Sequence, residues 1–260
     1  MNVLFVGDIF GRPGKQVASH LIPKIRRERN IDCCIANGEN AAGGFGLTET
    51  TAQKMFSYGV DVITSGNHIW DRREVETLLI QSDRILRPAN YPPGVPGNGY
   101  TVIDMGGCAV GVVNLMGRVF LPPIDCPFRV ADDIIARLRE LTTIILIDFH
   151  AEGTSEKIAL GWYLDGRVSA VIGTHTHVMT ADERILPNGT AYITDVGMTG
   201  PHDSVIGVRV DQSIARIMTH VPVKFSPAEE NLKFNAVIVD IDEESGKARS
   251  IERIIETYHE

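Results

Sequence analysis

Short apolar runs alternate with amphipathic segments through most of the chain. Asn2–Gly7 and Ile31–Asn37 have the continuous apolar character of buried strands, and the stretch between them, from Pro13 to about Arg29, has helical spacing. The alternation continues with strands at Val60–Thr64, Thr143–Phe149 and Val168–Gly173 and with helices at Thr48–Tyr58, Asp71–Ser82, Phe128–Leu141 and Ser155–Leu164. Strands that are separated by helices predict a parallel sheet.

Other apolar runs are joined by short turns that contain glycine. Gly106-Gly107, Asn188-Gly189 and Ser245-Gly246 each favour a tight hairpin and therefore antiparallel pairing. The expected partners are Tyr100–Asp104 with Cys108–Leu115, Arg184–Leu186 with Thr190–Ile193, and Phe234–Asp242 with Ala248–Glu256. The sequence therefore predicts a layered α/β fold with mixed sheets, in a single domain over residues 1–260.

Two segments fall outside this alternation. Arg87–Gly99 contains four prolines and three glycines, and we expect it to cross the surface between two halves of the domain. Asp211–Val223 lies close to the C-terminus and is interpreted as a small peripheral helical insert.

The composition narrows the kind of protein and of ligand. Hydrophobic residues make up 43% of the chain and charged residues 22%, as in soluble globular proteins, and no apolar run approaches the ~18 residues of a membrane span. The N-terminus has no basic region before its apolar run, so we interpret it as a strand and expect a cytoplasmic location. The net charge of −8 disfavours a long nucleic acid, but a small anion can bind where metal ions supply positive charge.

Polar residues follow five of the predicted strands at the point where each strand ends. They are Asp8, Glu39-Asn40, Asn67-His68, His150 and His175-Thr176-His177. In open α/β sheets ligands bind beyond the carboxyl ends of the strands, so these groups are expected to meet at one edge. Each has an ordinary alternative as a helix cap, a turn or a hydrogen-bonded core histidine. Their joint occurrence at five strand ends favours a binding site.

The side chains at these strand ends offer oxygen and imidazole nitrogen atoms. Two carboxylates, two amides and several histidines are more ligands than one ion needs, and two ions that share a carboxylate would use them all. Such mixed ligation suits iron, manganese or zinc and disfavours calcium. The cysteines form no C-x-x-C pair and are interpreted as thiols of a reducing compartment. We therefore expect two divalent ions as cofactors, with iron or manganese favoured and zinc also compatible.

The order and spacing of these motifs resemble those of calcineurin-like metallophosphoesterases, and more narrowly those of the YmdB-type bacterial cyclic-nucleotide phosphodiesterases. The matching stretches span nearly the whole chain and are Gly7–Gly11, Asn37–Ala42, Gly66–His68, Asp148–Glu152, Gly173–Val178 and Asp195–Gly200. The resemblance implies a layered α/β/β/α fold with mixed sheets. The chain departs from the broad superfamily at Phe10, because the first motif there is usually Asp-x-His.

The resemblance also implies a role for each site residue. Asn40 would replace the missing imidazole, so that one ion is held by Asp8, Glu39, Asn40 and His177. The other ion would be held by Glu39, Asn67, His150 and His175, with Glu39 as the bridge. His68, which is adjacent to a ligand, would be the general acid, and Asp71 is close to it in sequence and could hold its second ring nitrogen.

The implied reaction is hydrolysis of 2′,3′-cyclic nucleotides to 3′-nucleotides by a hydroxide that two metal ions make available at neutral pH. Protonation by His68 would help the sugar oxygen to leave. A phosphomonoesterase or a nuclease could use the same metal pair, and a regulatory nucleotide-binding protein that acts through partners is an alternative from another class. A small cyclic nucleotide is thus the expected partner, with no long nucleic acid and no membrane, and a homo-oligomer stays open.

The loops next to these motifs contain further candidates for substrate contact. Gly43–Gly46 could bring backbone N–H groups to a phosphate, and Phe45 or Trp70 could stack on a base. The other candidates are Arg12, Arg72, Arg73, Arg118 and His202. For each of them, packing or solvation is the ordinary alternative, so the sequence leaves the substrate-binding residues unassigned.

Overall fold

Strands and helices alternate along residues 1–259, which the computed structural model describes. The strands are β1 (Asn2–Val6), β2 (Asp8–Ile9), β3 (Cys33–Asn37), β4 (Val62–Thr64), β5 (Tyr100–Asp104), β6 (Ala109–Met116), β7 (Ile144–His150), β8 (Ala170–Thr174), β9 (Arg184–Ile185), β10 (Ala191–Ile193), β11 (Met198–Pro201), β12 (Leu232–Ile241) and β13 (Ala248–Thr257). The helices are α1 (Gly11–Glu28), α2 (Glu49–Ser57), α3 (Val75–Gln81), α4 (Pro127–Leu138), α5 (Thr154–Tyr163) and α6 (Val210–Thr219).

The strands form two mixed sheets. The first has the order β2-β11-β12-β1-β3-β4, with β13 also paired to β12, and the second has the order β5-β6-β7-β8-β10-β9. Strands β1, β3 and β4 run parallel to one another, and so do β6, β7, β8 and β10. The pairs β5–β6, β9–β10 and β12–β13 are antiparallel, so the three predicted hairpins are confirmed.

The two sheets lie face to face around an apolar core. On β1, Val3 and Phe5 belong to this core together with Leu146 of the second sheet, whereas Leu4 and Val6 pack on the opposite face. Helices α1, α2 and α3 cover that outer face, and α4 and α5 cover the outer face of the second sheet. Because β1 is covered on both faces, it is apolar at successive positions. The predicted α/β/β/α layering is confirmed.

The helix that was predicted over Asp71–Ser82 begins later than expected. The chain forms a 3₁₀ turn at Ile69–Asp71, and the α-helix begins only at Val75. The Asp71 carboxylate accepts a hydrogen bond from the His68 ring at 2.9 Å and does not cap a helix. By contrast, the Thr48 hydroxyl caps α2 as predicted, because it accepts from the Thr51 N–H at 3.2 Å.

The helical insert near the C-terminus is α6, which spans Val210–Thr219 and not the predicted Asp211–Val223. It ends at His220, whose left-handed backbone (φ 56°) stops the helix. Among the residues of α6 only Ser213 is buried, so the helix is peripheral, as predicted. Within the described residues, none of the helices is both long and apolar enough to cross a bilayer.

Candidate metal centre

All of the predicted ligand residues lie at one edge of the two sheets. The parallel strands β1, β3 and β4 end there, and so do β7 and β8 of the second sheet. The residues that come together are Asp8, Glu39, Asn40, Asn67, His150, His175 and His177. Parallel pairing and sheet stacking therefore assemble side chains that are up to 169 positions apart, from Asp8 to His177, around one buried region.

One group of donor atoms surrounds Nε2 of His150. This nitrogen lies 3.1 Å from Oε1 of Glu39, 3.1 Å from Oδ1 of Asn67 and 3.0 Å from Nδ1 of His175. Ligand atoms bonded at about 2.1 Å to one ion are about 3 Å from their neighbours in an octahedral arrangement, so this spacing fits a shared cation. The close approach requires Gly66, since a Cβ there would lie 2.2 Å from the His150 ring.

A second group of donor atoms surrounds Nε2 of His177. It lies 3.2 Å from Oδ1 of Asn40 and 3.7 Å from Oδ1 of Asp8. The Asp8 oxygen is buried and has no hydrogen-bond partner among the residues that the structure describes. Leaving a buried acceptor unsatisfied costs about 1–3 kcal/mol, and more if it is charged. A cation at this position would satisfy it, so the donor set fits a second ion.

Hydrogen bonds on the outer ring nitrogens orient two of the imidazoles. Nδ1 of His177 donates to the Ile206 carbonyl at 2.8 Å. The Thr174 hydroxyl donates to Asp148 at 2.7 Å and therefore accepts from Nδ1 of His150 at 2.9 Å. In both rings Nδ1 thus carries a proton, and Nε2 is the nitrogen that faces the other ligand atoms. This is the usual arrangement of histidine ligands.

The loop that carries His175 and His177 has unusual backbone geometry. Both residues are in the left-handed region, with φ of 102° and 65°, which non-glycine residues rarely adopt. Between them, Thr176 donates its N–H and its hydroxyl to the Asp195 carboxylate at 3.0 and 2.8 Å. Asp195 is itself paired with the buried Lys157 at 2.6 Å. This network holds the backbone in a shape that aims both rings into the site.

Asn40 has the orientation that a ligand requires. Its Nδ2 donates to the Gly44 carbonyl at 3.0 Å, and its Oδ1 therefore faces His177. Phe10, at the position of the missing histidine, is buried, and its ring packs edge-on against His177 with centroids 5.6 Å apart. An apolar contact and an amide oxygen thus occupy the space around His177.

His68 and Asn67 point in different directions, as their adjacency in an extended loop predicts. The Asn67 carbonyl lies among the donor atoms, whereas the His68 ring is 31% exposed and packs edge-on against Phe45 at 5.2 Å. Its Nδ1 donates to Asp71 at 2.9 Å, so this residue, which the sequence left unplaced, holds the second ring nitrogen. Its backbone N–H donates to Oε2 of Glu39 at 3.1 Å. Nε2 is left as the nitrogen available for proton transfer.

The electrostatics of these groups favour a cation. Burial raises the pKa of Asp8 well above its ordinary value, although His150 opposes the shift. Burial also opposes ionisation of Glu39, but His150 and the His68 N–H outweigh it and lower the pKa of Glu39 to about 2. The same carboxylates raise the pKa of His150 to about 9 against the effect of burial. A metal cation would stabilise both ionised carboxylates and favour the neutral imidazole.

A cavity of about 130 Å³ opens above the donor atoms. Its polar side includes Glu39 and His68, and its apolar side is formed by Phe10, Phe45, Ile206, Val208 and Phe225. A larger cleft of about 670 Å³, beside Arg12 and Tyr258, contains none of the predicted ligand residues. Because the predicted ligand residues line only the smaller of these two cavities, we take it as the candidate substrate site.

Several of the weaker candidates have structural partners. Arg72 donates to the carbonyls of Phe45 and Ala42 and so supports the glycine-rich loop. The Trp70 ring packs on Tyr91, and the His202 ring hydrogen-bonds the Met198 carbonyl at 3.2 Å. The backbone N–H of Arg118 donates to Glu156 at 3.0 Å. Phe45 differs from these residues because its ring lines the cavity.

Sequence reasoning missed the residues that support the ligands. Asp148 and Asp195 were visible only as parts of matching motifs, and Thr174 lies between the glycine and the first histidine of another. Lys157 was assigned to the expected helix Ser155–Leu164 without a role. Ile206 carried no signal at all, because an apolar residue in a loop does not suggest chemistry. Its carbonyl contact with His177 depends on the path of the chain in three dimensions.

The chain is similar to known proteins over nearly its whole length. The model of a family described as YmdB-like protein matches residues 4–254. The chain is 50% identical over 255 residues to the 2′,3′-cyclic-nucleotide 2′-phosphodiesterase of Bacillus subtilis (strain 168), covering 98% of this chain and 97% of that protein.

Solved structures agree with this similarity. A hypothetical protein from Thermus thermophilus is 44% identical with a TM-score of 0.93, and the match covers 99% of both chains. A structure described as a novel phosphatase from Mycoplasma pneumoniae is 32% identical with a TM-score of 0.93, covering 99% of this chain and 93% of that one. The similarity therefore extends over the whole fold and includes every strand end that contributes to the site.

Proposed function

The chain belongs to the YmdB-like protein family, and from this we propose that it is a metal-dependent phosphodiesterase that hydrolyses 2′,3′-cyclic nucleotides to 3′-nucleotides. The observation that carries the proposal is a group of metal-ligating atoms from Glu39, His150 and His175, together with the buried, unsatisfied Asp8 oxygen in the second donor group beside His177. The name of the 50% identical relative supports the choice of substrate. The small cavity and the net charge of −8 also favour a small anion over a long RNA.

We assign the donor atoms to two divalent ions that share Glu39, with iron or manganese favoured by the mixed oxygen and nitrogen ligands. One ion is assigned to Glu39, Asn67, His150 and His175, and the other to Asp8, Glu39, Asn40 and His177. When bound, such ions lower the pKa of water toward neutrality and neutralise charge on phosphoryl oxygens. The outer hydrogen bonds of His150 and His177 hold a proton on Nδ1 of each ring, so that Nε2 is the nitrogen that would bind an ion.

His68 is assigned as the general acid for the departing sugar oxygen. Asp71 fixes the ring by accepting a hydrogen bond from its Nδ1–H, so that Nε2 is the atom that would donate a proton to the 2′ oxygen. The edge-on contact with Phe45 limits rotation of the ring. The apolar side of the cavity would accommodate a nucleoside better than a second charged group.

Turnover of a substrate panel tests the proposal directly. Protein reconstituted separately with Mn²⁺, Fe²⁺ and Zn²⁺ is given 2′,3′-cyclic, 3′,5′-cyclic, mononucleotide and linear RNA substrates, and the products are identified by chromatography. We expect about two ions per chain and 3′-nucleotide as the product. Preferred cleavage of RNA or mononucleotide, release of 2′-nucleotide alone, or a single ion per chain would contradict the assignment.

A further inference from the structure

A two-residue hairpin turn at Val205–Val208 borders the cavity. The N–H and carbonyl of Val205 exchange hydrogen bonds with those of Val208 at 2.9 and 3.0 Å. Both central residues have positive φ, 47° at Ile206 and 100° at Gly207. Turns with positive φ at both positions strongly favour Asn-Gly or Asp-Gly. A β-branched isoleucine at the first position is therefore a conformational outlier that costs folding free energy.

The backbone of this turn has two structural tasks, and neither requires isoleucine. The carbonyl of Ile206 accepts the hydrogen bond from His177, but any residue supplies a carbonyl. Gly207 passes so close to Phe10 that a Cβ there would lie 2.7 Å from the ring. The Gly207 N–H is held by the Ser204 hydroxyl at 2.9 Å, so the turn has independent support. The choice of isoleucine needs a different explanation.

The Ile206 side chain does not stabilise the core. It is 54% exposed, and Ile206 lines the cavity together with Glu39 and His177. Phe45 lies on another side of the same cavity, next to His68. At about 130 Å³ the cavity is smaller than the roughly 300–1,000 Å³ that encloses a typical ligand, so a nucleotide would extend past its rim. An exposed apolar side chain at the rim is placed to contact that part.

We propose that Ile206 is a substrate-contacting specificity residue, whose side chain forms an apolar wall against the nucleoside part of the substrate. This inference rests on the proposed function, because it assigns the phosphate to the donor atoms and the nucleoside to the rim. It explains why a residue that opposes the turn is present at a central position of the turn that lines the cavity. Places where local preference is overridden are often functional.

The Ile206→Asn variant should change stability and substrate binding in opposite directions. Asparagine suits the left-handed backbone, so the Tm should rise, by about 2–4 °C for each kcal/mol of strain relieved. The carbonyl to His177 is retained, so metal content should not change. Loss of the apolar wall should raise the KM for 2′,3′-cyclic AMP about tenfold with little change in kcat. Partial burial of one apolar side chain against a ligand changes the affinity by roughly that factor.

Glycerol 1,2-cyclic phosphate serves as the comparison substrate because it has the cyclic phosphodiester without a base. Its KM should change less than about twofold in Ile206→Asn. The Ile206→Gly variant, which also suits positive φ and removes the side chain, should give the same pattern. His220→Asn is the matched control, because it changes another left-handed residue (φ 56°) at the exposed end of α6 and should leave both KM values unchanged.

Binding of 3′-AMP, measured by calorimetry, gives a readout that does not depend on turnover. Weaker binding by Ile206→Asn and Ile206→Gly, with unchanged binding of inorganic phosphate, supports the inference. Equal KM effects on both substrates, no effect on either, or unchanged 3′-AMP binding overturns it. An inactive wild type would refute the proposed function alone, and the 3′-AMP comparison would still decide the role of Ile206.

Discussion

The Lys157→Met substitution tests how the loop with the two histidines is held in place. Lys157, on α5, pairs with Asp195 at 2.6 Å, and each side chain is only 1% exposed. The same carboxylate accepts two hydrogen bonds from Thr176, which lies between His175 and His177. The lysine therefore neutralises the anchor of the loop, and its removal leaves Asp195 buried with neutral donors only.

The structure sets the size of the expected effect. Breaking a buried ion pair by removing one partner costs about 3–5 kcal/mol, which corresponds to a Tm lower by roughly 6–20 °C for a chain of this length. Lys24→Met is the matched control, because Lys24 pairs with Glu256 at 3.2 Å with both side chains at least 36% exposed. An exposed pair contributes at most about 1 kcal/mol, or roughly 4 °C.

Thermal unfolding and elemental analysis of the purified variants measure the two consequences. Lys157→Met should unfold at a much lower temperature than Lys24→Met and should retain less metal after dialysis, because the loop with His175 and His177 is less well held. Adding Asp195→Asn should recover part of the stability, since the unpaired charge is then removed, although Thr176 is anchored less strongly. Equal Tm losses in the two lysine variants, or full metal retention by Lys157→Met, would refute this account of the loop.

Three further predictions concern the ligands and the general acid. His68→Ala should retain both metals and lose about 10²-fold or more in kcat, but less for a nitrophenyl ester, whose leaving group needs no proton; equal losses would make His68 a positioning residue. Asn40→Ala should lower metal content mainly at the site that includes Asp8, as measured by anomalous scattering, and normal occupancy would make Asn40 a turn residue. Because the metal-free fold raises the pKa of His150 to about 9, chelated protein should lose stability as the pH rises from 6.5 to 9, whereas metal-loaded protein should not; Tm curves of both forms decide this.

Much of the fold was predictable because its signals are local. Glycine-containing turns located the three hairpins, and continuous apolar runs located strands such as β1 and β7 that are covered on both faces. The short strands β2 and β11 were missed, because elements of two and four residues show no periodicity. The start of α3 was wrong because Asp71 binds the His68 ring, which is a contact that propensity does not describe.

The residues of the candidate site were predictable because parallel strands end at one edge of a sheet, where the residues that follow them lie close together. The ligand types follow from residue chemistry, and parallel pairing brings them to one edge. The residues that hold the candidate ligands in place could not be predicted in the same way. Lys157 has the pattern of an ordinary helix residue, yet it is 1% exposed and paired with Asp195, because the fold packs α5 against β8 and brings Lys157 to the segment that follows β10. Which polar residue is buried depends on packing between elements that are distant in sequence.

The departure at Phe10 and the strain at Ile206 are two parts of one arrangement around His177. Phe10 packs with Met198 and Val208 in a small apolar cluster, and its ring contacts His177 and the backbone of Gly207. That contact positions the turn whose Ile206 carbonyl orients His177. An imidazole at position 10 would introduce a polar ring into this buried cluster, where burying an unpaired polar group is costly. In the proposed site Asn40 rather than residue 10 would therefore supply the oxygen next to His177, and the turn places Ile206 at the cavity.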